Sequence, residues 1–418
     1  MATNSKISNT LLLFTEYISS IDINKDDIEI VKIQKIIHVL SNVKDFRVKG
    51  RCIYKLENLI IMMFLAILSG HGSSCVDISE YIALRADWFE KLGIISDGNI
   101  PSHDCFRRLL MNLDTESLKT IIYDYLEKFF TSLESINSNQ KSYKQISVDG
   151  KQLRGTGRAN SALKPLSNLA TLNIYNNCRS HCIVAKVIEE KDSEIPVARD
   201  ELKLLDLRNT IVSFDALHCQ KDTAELIAKK KGYYLLIAKD NQKLLTQDII
   251  SKIENKKKDV KVISDDKRTY YFYKLPSNFT GLEWYKQKTY VKVESYVRSK
   301  TKPETMYFLT NTTNNKLIME AITNKWQIEN DHHRCKDLLL DEDKFRIADK
   351  TAVSNMTTFN DIVMALYRIS QPILNLKRFK SVKMAYELNP EKYLMMVASI
   401  ITSDTLIEKI KQAQSKKK

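Results

Sequence analysis

Leu56, Leu59, Ile60, Met63, Phe64 and Ile67 recur at the spacing of one helix face, and a second amphipathic run covers Phe106 to Phe130. Between them Ile100-Pro101-Ser102-His103-Asp104 reads as a turn with Ser102 as N-cap of the second helix. The apolar run Leu59 to Leu68 is about half of the roughly 20 residues a bilayer span needs, so it predicts a buried core helix. Residues from about 30 to 135 are expected to be helical throughout, making 1–135 an all-helical N-terminal domain. The polar stretch Ser132 to Tyr143, rich in Ser and Asn, has the composition of a junction.

Beyond the junction the period changes from helical to alternating. In Gln145 to Lys151, Ile146 and Val148 share one face and Ser147 and Asp149 the other. Leu169 to Tyr175 and His181 to Glu189 are two further strands around an Asn176-Asn177 turn. Ser193 is placed to cap a helix with Pro196 in its first turn, running to about Leu205. Asn209 to Ala216 reads as strand, Gln220 to Lys231 as a helix closed by Gly232, Tyr233 to Lys239 as strand, and Gln242 to Lys257 as an amphipathic helix. Three strands, helix, strand, helix, strand, helix is the element order of an RNase H-like mixed sheet with helices on both faces. β-rich stretches in Lys261 to Asn311 then predict an insertion at about 260–312. Helices are expected from about Lys316 to Leu340 and from Ala352 to Ile373. The fold class is therefore α/β, an RNase H-like catalytic domain over 136–418 with a β-rich insertion and a helical C-terminal part.

Charge changes the picture more than the rest of the composition. Against 51 acidic residues stand 65 Lys and Arg, a formal net charge of +14 that favours a polyanionic partner, nucleic acid or an acidic membrane surface. The N-terminus lacks a basic region followed by an apolar one, so no signal peptide is expected. Seven scattered cysteines suit a reducing cytoplasm and free thiols. Cys178, His181 and Cys182 lie close together but in an expected hairpin turn, and no second ligand pair has zinc spacing.

Asp149 and Asp215 fall near the ends of the first and fourth strands of this order, which are neighbours in an RNase H-like sheet. The same parity holds for both, with Val212 and Phe214 alternating against Asp215, so both carboxylates can leave the same side of the sheet. Adjacent carboxylates raise one another's pKa unless a cation neutralises them. Two Mg²⁺ ions about 3.5–4 Å apart are the usual solution where phosphodiesters are cut, and few protein carboxylates are needed to hold them. The third ligand is sought on the later helix, in KWQIENDHHRCKD. At about 100° per residue Lys325, Glu329, His333 and Lys336 form one narrow stripe, a carboxylate beside a phosphate-binding face. Lys151 and Arg154, just past Asp149, are further candidates for phosphate contact. Asp337, Glu342 and Asp343 are read as structural partners of Arg346. His218 and Gln220 are read either as orienting DNA or water, or as packing and capping residues.

At these residues the chain resembles the ISAs-type insertion-sequence DDE transposases, which include the H-repeat-associated proteins of Rhs elements. The N-terminal part carries Asp45-Phe46-Arg47 and Ile100 to Asp104; the core carries SVDGKQLRG (Ser147 to Gly155), EKDSEI (Glu190 to Ile195), SFDALHCQ (Ser213 to Gln220) and LIAKDNQ (Leu236 to Gln242). The C-terminal part carries WQIEN (Trp326 to Asn330), His333, Asp337, Glu342-Asp343 and Arg346. The ordered set is far more specific than any one motif. Cys105 and Arg334 depart from the usual Thr and Trp. Ile322 and Lys325 stand where a Tyr-Arg-Glu-Lys signature would have Tyr and Arg.

The resemblance implies metal-dependent DNA cleavage and strand transfer, with the family's acidic triad falling on Asp149, Asp215 and Glu329. Those residues are expected both as catalytic groups and as ligands of two Mg²⁺ ions, with Mn²⁺ as substitute. Lys151, Arg154, Lys325, His333 and Lys336 are expected to bind DNA. The expected partners are double-stranded DNA, at element ends and target, and further copies of the chain; no membrane partner is expected, and the location is the bacterial cytoplasm at the nucleoid. Two other functions fit the same sequence: an RNase H-like nuclease without strand transfer, and a domesticated DNA-binding protein without chemistry.

Overall fold

The structure, a computed structural model, describes residues 36–96, 98–120, 144–158, 168–189, 194–279, 281–297, 302–390 and 392–393. The expected junction at Ser132 to Tyr143, the Ser193 cap and the end of the Phe106 to Phe130 run lie outside the described residues. In chain order the helices α1 (Leu56–Leu68), α2 (Cys75–Leu84), α3 (Ala86–Lys91) and α4 (His103–Asn112) come first. Next are β1 (Lys144–Gln152), β2 (Ala170–Asn176), β3 (His181–Ile188), α5 (Glu194–Leu204), β4 (Thr210–Phe214), α6 (Lys221–Lys229), β5 (Tyr233–Ala238) and α7 (Lys243–Asn255). They are followed by β6 (Val260–Ser264), β7 (Arg268–Lys274), β8 (Thr289–Ser295), β9 (Glu304–Thr310), α8 (Asn315–Asn324), a π-helical turn Ile328–His333, α9 (Arg334–Leu339), α10 (Lys350–Ile373) and α11 (Phe379–Leu388).

Packing groups the chain differently from the split after residue 135 expected from sequence. One compact unit comprises Met1–Lys141, Gln152–Leu169 and His332–Lys418; the other comprises Ser142–Lys151 and Ala170–Asp331. The C-terminal helices belong with the N-terminal ones because α10 carries an apolar face. Ala352, Met356, Phe359, Val363 and Tyr367 share a core with Ile60, Phe64 and Ile67 of α1 and with Phe106 and Leu110 of α4. The Asn355 amide of α10 donates to the carbonyls of Leu110 and Leu113 at 2.8 and 2.9 Å, satisfying the end of α4.

The second unit is a mixed α/β layer. Among the described residues nine strands form one sheet in the order β3-β2-β1-β4-β5-β9-β8-β7-β6. β1, β4 and β5 run parallel, β2 and β3 antiparallel, and β9 joins β5 antiparallel. The β-rich stretch expected as an insertion is thus not a separate body, since its strands prolong the same sheet. Ile146, Val148, Val212 and Phe214 face a core built with Ala198 and Leu202 of α5, Ile227 of α6 and Ile249 of α7. Ile211, Leu235 and Ile237 face the other core, with Leu317, Ile318 and Ile322 of α8. Burial on both faces explains why β5 reads as an unbroken apolar run from Tyr234 to Ala238.

Two local expectations are corrected. Lys231, not Gly232, holds the left-handed position after α6, with φ of 61°. Gly232 sits in a close approach instead: a Cβ there would lie 3.0 Å from the Leu207 carbonyl oxygen and from Ile227 Cγ2. The stretch from Lys316 to Leu340 is not one α-helix, because α8 gives way to the π-helical turn before α9 begins. The 100° step that put Lys325, Glu329, His333 and Lys336 on one stripe fails across that turn.

Candidate active site

β1 and β4 are paired in register, Ser147 opposite Ser213 and Val148 opposite Phe214, so Asp149 and Asp215 are the next residues of the two strands. The period of two sends Val148 and Phe214 to the apolar core and the serines to the opposite face. There the Ser147 hydroxyl donates to Asn177 Oδ1 at 2.9 Å and lies 2.9 Å from the Ser213 hydroxyl. Asn177 Nδ2 donates to the Asn324 carbonyl at 2.8 Å, and Gln145 Nε2 to the Ala321 carbonyl at 2.9 Å. This seam of amides satisfies the last carbonyls of α8 and fixes its C-terminal end over β1, ahead of Lys325 and Glu329. Asp215 is held locally: its Oδ1 accepts the Leu217 amide at 3.0 Å.

Electrostatics tie the group together. Burial, then the charges of Asp215 and Glu329, push the Asp149 carboxyl up to about 7; Lys325 opposes the shift and Glu194 adds to it. Lys325 is 5% exposed, its Nζ 4.3 Å from the Trp326 ring centroid. Burial draws its ammonium below the ordinary value, against the upward pull of Asp149, Glu329 and Asp215. Three carboxylates and the Lys325 ammonium therefore share a low-dielectric setting in which the acids repel one another. Carboxylate oxygens are the hard donors that Mg²⁺ and Mn²⁺ prefer, so the donor set fits the expected ions.

The other expected contact residues separate. Arg154 is exposed, and its backbone amide donates to Asp343 Oδ1 at 3.3 Å. Lys151 is buried within β1 and His333 is buried at the end of the π-helical turn. Lys336 is corrected outright as a DNA contact: it is fully buried, with Nζ 2.9 Å from Asp361 and 3.0 Å from Glu342. Glu342, read from sequence as a partner of Arg346, instead pairs with Lys336 and accepts from Asn360 at 3.3 Å. Around the Asn176-Asn177 turn, Asn176 Oδ1 accepts the amides of Cys178 and Arg179 at 3.1 Å, so the hairpin closes on its own; Cys178 is exposed and Cys182 buried.

Glu194 was not singled out from sequence. It begins α5, is 2% exposed, and its Oε1 lies 2.9 Å from His218 Nε2. A Cβ on Gly150 would overlap its other oxygen. The EKDSEI motif contained the residue; only the fold brings Gly150 and His218 to it.

A family model described as DDE_Tnp_1-associated matches residues 37–126. The model described as Transposase DDE domain matches residues 141–365, more than half of the 418 residues. The chain belongs to the transposase DDE domain family. Within reach of this DDE-family chain is YbfL of Escherichia coli (strain K12), 25% identical over 342 residues, 76% of this chain and 86% of that protein. The H repeat-associated transposase candidate YhhI of the same organism matches with the same identity and coverage. Against the transposase candidate YncI of Escherichia coli O157:H7 the identity is 27% over 215 residues, and the chain spans about half of that protein, 51%. The cryo-EM structure of the piggyBac transposase synaptic complex with hairpin DNA matches over 93% of this chain and 84% of that chain at 12% identity, with a TM-score of 0.41. Among the described residues of the DDE-family chain, no helix is long and apolar enough to cross a membrane.

Proposed function

We propose that this DDE-family chain is a transposase that cuts and joins DNA ends, with Asp149, Asp215 and Glu329 holding two divalent metal ions. The observation that carries the reading is the β1–β4 register, which sets Asp149 beside Asp215, where burial and the charges of Asp215 and Glu329 push the Asp149 carboxyl up. A site that concentrates like charge in this way is built for a cation. Support for an RNase H-like core comes from the strand order β3-β2-β1-β4-β5, with β1, β4 and β5 parallel and helices on both faces.

When bound, the two ions supply Lewis acidity to the attacking and leaving oxygens of an in-line displacement. The chain's own residues supply position and charge. The β1–β4 register sets Asp149 beside Asp215, and the amide seam of Gln145, Asn177 and Asn324 orients the end of α8 from which Glu329 follows. Lys325, buried among the acids, is their internal counter-ion. Arg154 is exposed whereas Lys151 is buried, so of the two it is the better candidate for a backbone phosphate contact. The net charge of +14 favours a DNA partner whose affinity falls steeply as salt rises. Pairing of two DNA ends by copies of the chain belongs to the same reading.

The test uses a plasmid carrying the gene with its flanking DNA. Nicking that requires Mg²⁺ or Mn²⁺, stops with EDTA and disappears in Asp149→Asn supports the reading; joined products separate a transposase from a nuclease of the same fold. Nicking undiminished by EDTA, or retained by Asp149→Asn, would overturn it.

A further inference from the structure

We propose that Glu194, held by His218, is a strut that sets the separation of Asp149 and Asp215. The proposal rests on the reading that those two residues share divalent cations. Glu194 stands in the first turn of α5, outside both strands, and its carboxylate is nearly removed from solvent. Carboxylates are almost never fully buried without a partner. Here one oxygen lies 2.9 Å from His218 Nε2 and the other fills the space in which a Cβ of residue 150 would stand. Gly150 directly follows Asp149. His218 is three residues past Asp215, and its ring lies 5.3 Å from that of Phe214, the residue before Asp215. A single carboxylate thus touches the chain beyond both catalytic aspartates.

Two further features favour a positioning role over plain helix packing. Glycine at 150 is what allows the contact, because any Cβ would overlap Glu194 Oε2. His218 is wholly buried, and its Nδ1 meets no hydrogen-bond partner among the described residues, so Glu194 is the polar group that orients the ring. Outer groups that fix metal ligands typically change metal affinity or activity by about 10–100-fold when removed. Mg²⁺ requires near-ideal octahedral geometry, so a loosened pair of ligands handicaps it most.

The experiment compares full-length wild type with Glu194→Ala, Glu194→Gln, His218→Ala, Gly150→Ala and the double variant Gly150→Ala/Glu194→Ala. Mn²⁺ binding to the free protein is titrated by electron paramagnetic resonance, plasmid nicking is measured in Mg²⁺ and in Mn²⁺, and thermal melting reports folding. Glu194→Ala and His218→Ala should weaken Mn²⁺ binding at least about tenfold, and Mg²⁺-supported nicking should fall about tenfold further than Mn²⁺-supported nicking. Glu194→Gln, whose amide oxygen still accepts from His218, should recover most of the loss. Gly150→Ala should imitate Glu194→Ala, and the double variant should be no worse than either single one. Should Glu194→Ala not fold, Gly150→Ala and Glu194→Gln decide the question. Unchanged Mn²⁺ affinity and an unchanged Mg²⁺-to-Mn²⁺ ratio in folded variants would overturn the strut. So would equal losses with both metals that track the melting temperature. Wild type that binds no Mn²⁺, or Asp149→Asn that binds it equally well, would instead sink the two-metal reading.

Discussion

Replacing Asp149 with asparagine should stabilise the metal-free protein at alkaline pH while removing its chemistry. Burial and the charges of Asp215 and Glu329 push the carboxyl up from 3.8 to about 7. Between those values the folded state keeps a proton that the unfolded chain has released. Stability therefore falls as pH rises through that window, and the loss is complete above the folded value. A displacement of about three units at 1.36 kcal/mol each sets a ceiling on the order of 4 kcal/mol. Relaxation and water entry reduce it, so a gain of roughly 1–4 kcal/mol is expected for Asp149→Asn near pH 8.5. The asparagine keeps the shape and never ionises, so its advantage should shrink toward about pH 4. Urea unfolding in EDTA at both pH values measures the difference. Saturating Mg²⁺ should reverse the order, because an ion that binds only the folded wild type stabilises it by mass action. A variant less stable than wild type at alkaline pH in EDTA, or a difference independent of pH, would refute the idea that Asp149 bears repelled charge.

Glu329→Gln should cut nicking by at least about 10²-fold, as loss of one electrostatic group in a reaction centre does, with DNA affinity unchanged or higher by filter binding. Retained nicking would assign the third ligand elsewhere. Lys336→Met should destabilise the fold by about 3–5 kcal/mol in denaturant unfolding, because Asp361 and Glu342 are left buried without their cation. Adding Asp361→Asn should recover part of that loss, and a Lys336→Met protein of normal stability that loses only DNA affinity would restore Lys336 as a DNA contact. Iodoacetamide at pH 8 should label the exposed Cys52 and Cys178 and spare Cys75 and Cys219, whose thiols burial pushes up to about 11 and about 12. Mass spectrometry of the labelled peptides checks this, and early labelling of Cys219 would contradict its burial.

Period-two alternation was enough to read β1 and β4. Ile146 and Val148 against Ser147 and Asp149 is a local pattern, and it yields the face of each side chain without knowledge of any partner strand. The helices α5, α6 and α7 were legible for the same reason. What escaped the sequence depends on distant residues. Lys336 resembled a surface cation until α10 supplied Asp361 at 2.9 Å. Glu194 is unremarkable in its own helix, and its burial follows from His218 and from the missing side chain at Gly150. The π-helical turn has no period to announce it, and it undid a stripe reckoned on regular α geometry. The joint core of α1, α4 and α10 was hidden because amphipathicity says that a face is covered and not by what.

The helical unit is assembled from three separated stretches of chain, and α10 arrives late. At about 5–20 residues per second a ribosome needs on the order of 10 to 50 s to pass from Asn112 to Lys350. Throughout that interval the nascent α1 and α4 lack the apolar face that closes their core, and they offer chaperones or neighbouring nascent chains a hydrophobic surface. A gene copy truncated between Glu329 and Lys350 would still encode all three acids yet make a helical unit that never finishes folding. For copies of this gene, decay of about the last fifth of the chain is thus a route to silence through proteostasis, with the codons of all three acids intact.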